Sequence, residues 1–201
     1  MNGETESGKP TGLRAFLASP WKVAAVLLGI FLLVQGYLVW QDRGVTAALD
    51  GHEPFATPAF PLQFSRKMAY DPLSFLGRGR QAGLWNWTPD GLVLTEEGKK
   101  FFEQSGEQFL SRAPAGRRRV TRLRDIGEGD GRREVFFFYQ WTEVAPSAAA
   151  LLYPAPQAGQ EYLGRAILEQ ADGAWRVTSF QTLDLDEPLA RLQDIAAGVR
   201  R

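Results

Sequence analysis

Between Val23 and Trp40 the chain reads VAAVLLGIFLLVQGYLVW, a stretch without a charged side chain in which Gln35 is the one strongly polar residue. About 18 residues at about 1.5 Å each cover about 27 Å, close to the hydrocarbon thickness of a bilayer. A helix that is apolar on every side belongs in lipid or in the middle of a large protein, and the rest of a 201-residue chain is too small to wrap it. Trp21 stands just before the run and Tyr37 and Trp40 stand at its far end, where amphipathic rings favour the headgroup layer; Lys22 can snorkel toward the same layer. These four residues read as a membrane anchor, and the spacing predicts a transmembrane helix over 21–40.

Flanking charge orients it. Lys9, Arg14 and Lys22 precede the run, whereas Arg43 is the only cation for about twenty residues after it, so the positive-inside rule keeps the short tail in the cytoplasm and exports the rest. A cleaved signal peptide is the rival, with small residues in TAALD at 46–50. The long polar leader, the length of the run and the distance of those small residues from its end favour an uncleaved signal anchor. The expected location is the bacterial inner membrane, single-pass, with the C-terminal domain periplasmic. Residues 1–20, rich in Gly, Glu and Ser, offer nothing to bury and read as a disordered tail.

Beyond the anchor, 41–61 carry Gly51, Pro54, Pro58 and Pro61 and read as an extended tether, followed by one domain over 62–201. Asp71-Pro72 looks like a cap and first turn of a helix to about Gln81 with Leu73 and Leu76 on its buried side. Trp85 and Trp87 alternate before Pro89-Asp90-Gly91, so a small hairpin with Leu92–Leu94 is expected. Thr95 then reads as the cap of a second helix placing Phe101, Phe102, Ser105 and Phe109 on one face. Stretches at 120–126, 133–144, 162–170 and 174–183 are rich in β-branched and aromatic residues and are joined in pairs by Gly- and Asp-containing turns, which predicts a four-stranded antiparallel meander. In the second of them Val135, Phe137, Tyr139 and Trp141 point one way and Phe136 and Phe138 the other, so it should be central and covered on both faces. PSAAALLYPAP, from 146, could make a short helix or a loop. A last helix carries Leu189, Leu192, Ile195, Ala196 and Val199 as a stripe and ends on Arg200 and Arg201. The fold class is α+β, with helices packed on the four-stranded sheet.

The run AGL, two short strands, then LTEEGKKFF resembles the wing-and-helix segment of winged-helix proteins, and is similar to a block in uncharacterised bacterial envelope proteins and lipoproteins. Those close on a "dGxWrv" pattern, matched here by Asp172, Gly173, Trp175, Arg176 and Val177. The resemblance covers roughly residues 82–182 and implies an envelope location but no activity; the chain departs from the lipoproteins by offering a helix in place of an acylated cysteine. A second resemblance is to the cone of the nuclear-transport-factor-like superfamily, used by membrane-anchored subunits of type IV secretion systems. The C-terminal helix and the hairpin before Thr95 depart from that pattern.

No reactive constellation is visible. The chain has no cysteine, which removes disulfides, thiolate metal sites and a thiol nucleophile. His52 is the only histidine and has no second ligand type beside it. There is no Gly-x-Ser-x-Gly and no His-Glu-x-x-His, and Ser19 to Lys22 abuts the apolar run without companion motifs. Gly77, Gly79 and Gly83 miss the dinucleotide spacing and read as a frayed helix. Gly127–Gly131 with Glu128 and Asp130 offers too few oxygens for calcium, and Asp184, Asp186 and Glu187 read as capping and dipole carboxylates. An enzyme using two facing acids, such as a glycan hydrolase, is a distant third reading. Twenty-three cations balance 23 acids, so nucleic acid is not an expected partner. The one charge bias is Arg117, Arg118, Arg119, Arg122 and Arg124, a candidate contact for an anionic partner or a blunted strand edge.

The expectation is therefore a non-enzymatic, membrane-anchored interaction or scaffold protein without cofactors or metal, an accessory subunit whose partners are the lipid bilayer and other membrane or envelope proteins. The alternative is a periplasmic domain binding a ligand on the concave face of its sheet, with Tyr139, Trp141 and Trp175 as the candidate pocket.

Overall fold

A computed structural model describes residues 20–129, 131–182 and 184–198, with side chains left aside at 125, 126 and 128. The expected tail over 1–19 lies outside the described residues, as do Asp130, Leu183, Val199, Arg200 and Arg201. The chain divides into two units, Met1–Arg43 and Gly44–Arg201.

The first unit holds the greater part of helix α1, Pro20–Asp50, which is long and apolar enough to cross a membrane. Its apolar side chains face outward, with Leu33 75% and Trp40 63% exposed. Trp21, Lys22 and Tyr37 are exposed as well, and the Gln41 amide donates to the Tyr37 hydroxyl at 2.6 Å. One long apolar helix near the N-terminus suits a single-pass anchor or a signal sequence equally by length and composition.

The second unit begins inside α1. The expected extended tether is corrected here: residues 44–50 are helical, α2 follows at Glu53–Ala56, and Val45, Leu49, Phe55 and Phe60 are buried outright. Val45 and Leu49 are one helical turn apart and so share a face, and Pro54 sits at the first turn of α2, where its missing N–H costs nothing.

Three antiparallel sheets follow. β1 (Leu62–Ser65), β5 (Gln108–Ser111) and β4 (Glu103–Ser105) form one, in the order β1-β5-β4. β2 (Trp85–Thr88) and β3 (Gly91–Leu94) form the expected hairpin, Trp85 opposite Leu94 and Trp87 opposite Leu92. β6 (Gly116–Gly129), β7 (Arg132–Val144), β8 (Glu161–Ala171) and β9 (Ala174–Thr182) form the four-stranded meander in sequence order. The fold is α+β, as expected.

Two helices differ from expectation. The segment after Thr95 is not a helix: Thr95 Oγ1 accepts from the Gly98 N–H at 3.0 Å, but only a short 3₁₀ turn at Gly98–Lys100 results before the chain turns into β4. Gly106, at φ +60°, supplies the tight turn between β4 and β5 that reverses the chain. Helix α3 is shorter than expected, Phe75–Gln81, capped by Ser74, whose oxygen accepts from Leu76. Asp71 accepts from Leu73 in the turn before it, and Leu73 is 88% exposed. Gly77 and Gly79 are packing residues rather than signs of fraying, since a Cβ at Gly79 would overlap the Trp85 ring and one at Gly77 the Pro72 backbone.

Phe64 is the hub of one core, its ring 5.3–5.7 Å from those of Phe75, Trp85, Phe102 and Phe109. Helix α4 (Pro146–Leu151) adds Ala148 and Leu151 to it, and Arg78 from α3 donates to the Ala150 and Leu151 carbonyls. Helix α5 (Asp186–Ala196) also packs here rather than on the large sheet, burying Leu192, with Gln193 donating to the Pro61 carbonyl at 3.0 Å. Ile195, expected in its buried stripe, is 46% exposed. A second core lies on the inner face of the large sheet, where Val135, Phe137 and Tyr139 of β7 meet Val45, Leu49 and Phe55. Each such side chain contributes about 1.5–3 kcal/mol by leaving water. The outer face of β7 is not covered as expected: Phe136 is 38% exposed, and Phe138 is half-buried with Arg122 over its ring, 3.9 Å from the centroid.

Candidate functional site

Val120 points inward from β6, so by strand alternation Arg118 points inward too, among the rings of the second core. A charged side chain there needs a full set of partners, and Arg118 has one. Its Nε donates to the Phe55 carbonyl at 2.9 Å, and its Nη1 donates to Thr182 Oγ1 at 3.1 Å and Asp184 Oδ1 at 3.2 Å. The guanidinium carbon stands 5.0–5.4 Å from the ring centroids of Phe55, Tyr139 and Trp141. The second oxygen of Asp184 accepts from Trp141 Nε1. The ion pair is 2% and 0% exposed at its two side chains.

This cluster was hidden in the sequence. Asp184 reads there as a helix cap, yet Leu185 occupies the cap position of α5 without a capping side chain, and Asp184 is a counter-ion. Asp186 and Glu187 do sit in the first turn of α5. Burial raises the Asp186 carboxyl, and the neighbouring Asp184 charge raises it further. Tyr139 has its hydroxyl buried close to this group without a well-aligned partner among the described residues. Burial first, then the charge of Asp184, pushes that phenol far upward, so it stays neutral and cannot serve as a base.

The expected pocket does not form. Tyr139 and Trp141 are 0% and 1% exposed, and their side of the sheet is filled by Phe55, Arg118 and Asp184. Trp175 lies elsewhere: Tyr139 is opposite Tyr162 while Trp175 is opposite Gln170, about eight residues or about 27 Å further along β8. The Trp175 ring rests beside Gly44 and under Arg133. A cleft of about 340 Å³ does open next to the ion pair, between the 154–157 loop, Tyr162 and the start of α5. Its one buried charge, Asp184, is already matched by Arg118 and Trp141.

The arginines expected to meet an anion are mostly occupied within the chain. Arg117 pairs with Glu143, Arg119 with Asp50, each at 3.8 Å, and Arg122 with Glu161 at 3.0 Å; Arg118 is buried and Arg124 is exposed. His52 precedes α2 with its ring edge-on to Phe180 at 5.4 Å. Among the described residues no three His, Cys, Asp or Glu side chains come together as a metal site.

The geometry is that of a structural clasp: one guanidinium joins α2, β6, β7 and the end of β9. No family model matches the chain, and no curated protein or solved structure matches it either.

Proposed function

We propose that this chain is a single-pass, membrane-anchored interaction or scaffold protein, an accessory subunit whose folded domain stands on the periplasmic side of a bacterial inner membrane and acts without chemistry of its own. The observation that carries the reading is α1: a continuous helix whose uncharged stretch, Val23–Trp40, leaves its apolar side chains uncovered among the described residues. Trp21 and Trp40 bracket about 28 Å of it, the span of a hydrocarbon core.

The same helix favours an anchor over a cleaved leader. Cutting near 46–50 would take Val45, and at the far end of that range Leu49 as well, out of the second core, where both are fully buried, at about 1.5–3 kcal/mol for each side chain lost. A scaffold is favoured over an enzyme because the buried Arg118–Asp184 pair spends its contacts on holding segments together.

Membrane fractionation of the full chain, with a reporter fused after Arg201, tests the placement. The chain is expected in the carbonate-resistant membrane fraction, with an alkaline phosphatase reporter active and a cytosol-dependent fluorescent reporter dark. A chain extracted without detergent, or a reporter bright in the cytosol, overturns it. Cross-linking in whole cells followed by affinity capture is expected to return the same envelope protein each time; return of no partner removes the scaffold reading.

A further inference from the structure

Helix α1 carries one carboxamide inside its apolar stretch. Gln35 lies five residues before Trp40, about 7.5 Å along the axis. Helical side chains tilt toward the N-terminus, so the amide leans further into the stretch rather than out toward the ring at its end. Gln41 donates to Tyr37 within the same helix, whereas Gln35 is exposed and hydrogen-bonds to none of the described residues. In hydrocarbon such a group is costly to leave unmatched, and a hydrogen bond to a neighbouring helix relieves it.

The glycines of α1 mark the side on which a neighbour fits. A Cβ at Gly77, Gly79, Gly98 or Gly164 would strike another part of the chain, but Gly29 and Gly36 have nothing within 4 Å. Their bare backbone answers no packing need of this chain, although glycine weakens a helix; a second helix needs it for close approach. The two are seven residues apart and so share a side of a supercoiled helix. The heptad that sets both beside its seam runs Ala25, Leu28, Leu32, Gln35 and Val39, in alternating steps of three and four residues. Gln35 therefore falls in the seam itself, with Gly36 next to it.

We infer that α1 pairs in parallel with α1 of a second copy of this chain, Gln35 against Gln35, a pairing that rests on the bilayer placement proposed above. Two features single out that occupant. A carboxamide is donor and acceptor at once, so two of them complete each other across a two-fold axis. The flanking cations Lys9, Arg14 and Lys22 insert every copy the same way round, so each copy holds its amide at one depth and meets the other without a search in register. A foreign helix would have to bring a polar group to that same depth.

The chain has no native cysteine, so single cysteines report the contact directly. The full chain carrying Leu28→Cys or Leu32→Cys, oxidised in carbonate-washed membranes, is expected to run at twice the monomer mass on a non-reducing gel. Ile30→Cys and Val34→Cys, on the far side of the heptad, are expected to stay monomeric. Adding Gln35→Leu to the Leu28→Cys chain is expected to lower the ratio of cross-linked to monomeric chain by about threefold to thirtyfold, the worth of one interhelical hydrogen bond. Gln35→Asn keeps an amide and should retain most of the dimer. The pairing is refuted if both seam cysteines stay monomeric, if the far-side cysteines cross-link as readily, if Gln35→Leu changes nothing, or if the product has the mass of a foreign partner. Absence of the chain from the washed membranes would overturn the placement along with the pairing, whereas its presence there without a seam cross-link overturns the pairing alone.

Discussion

Replacing Asp184 by alanine tests the clasp. The carboxylate has two obligations, to Arg118 at 3.2 Å and to the Trp141 indole N–H, and both partners are sealed from water. Removing one member of a buried ion pair costs about 3–5 kcal/mol because the other charge is left without compensation, and an orphaned buried donor costs about 1–3 kcal/mol. The two losses share one site and do not add in full, so about 4–6 kcal/mol is expected. That is most of the stability of an ordinary domain, about 5–15 kcal/mol. The double variant Arg118→Met with Asp184→Leu removes charge and counter-charge together and should return at least about 2 kcal/mol of the loss. Urea titration of the full chain in mild detergent, followed by near-ultraviolet circular dichroism, reads the ring packing around Trp141. A cost for Asp184→Ala below about 1 kcal/mol, the size of a surface pair, or a double variant no more stable than the single one, would refute the reasoning.

Other outcomes follow from neighbouring features. Burial lifts the Asp50 carboxyl above its ordinary 3.8, outweighing the Val120 N–H and Arg119, which both lower it. The folded chain therefore holds that proton to higher pH than the unfolded one, and its contribution is greatest below 3.8 and falls as pH rises through the raised value. Asp50→Asn, which keeps an acceptor for Val120, should melt no lower than wild type at neutral pH, with the two converging in acid; a lower melting temperature at neutral pH contradicts this. Gly98→Ala would press a methyl into the Leu84 carbonyl and should cost about 1–3 kcal/mol in the same urea titration. Leu33→Arg puts a cation in the middle of α1 at about 2.5–3.5 kcal/mol for insertion, so a larger carbonate-extractable fraction is expected, and unchanged extraction would contradict the membrane reading of α1.

The large sheet was legible because its strands are long, rich in rings and β-branched residues, and joined at Asp172-Gly173 by the left-handed pair that a two-residue hairpin needs. The helix after Thr95 was misread for a physical reason. Phe101, Phe102 and Phe109 recur at helical spacing, but two short strands folded back at Gly106 bring the same rings onto one core, and so short a window does not separate the two periods. The tether was misread because its prolines and Gly51 outweighed the turn-spaced Val45 and Leu49, which the continuing helix turns inward. The clasp was masked by its surroundings: Arg118 sits in a run of three arginines, and only its two-residue offset from Val120 marks it as the inward one. Its partner is 66 residues away, a pairing that no local pattern records.

That distance sets an order on synthesis. Phe55, Arg118 and Trp141 emerge from the ribosome well before Asp184, so while 66 further residues are added the chain holds a cation with nowhere to settle, and the arrival of one late carboxylate lets the strands close around it. A product truncated just before Asp184 would keep its first helix and all of its rings, yet lack the counter-charge that its interior is shaped to receive, and so should be degraded as an incomplete chain.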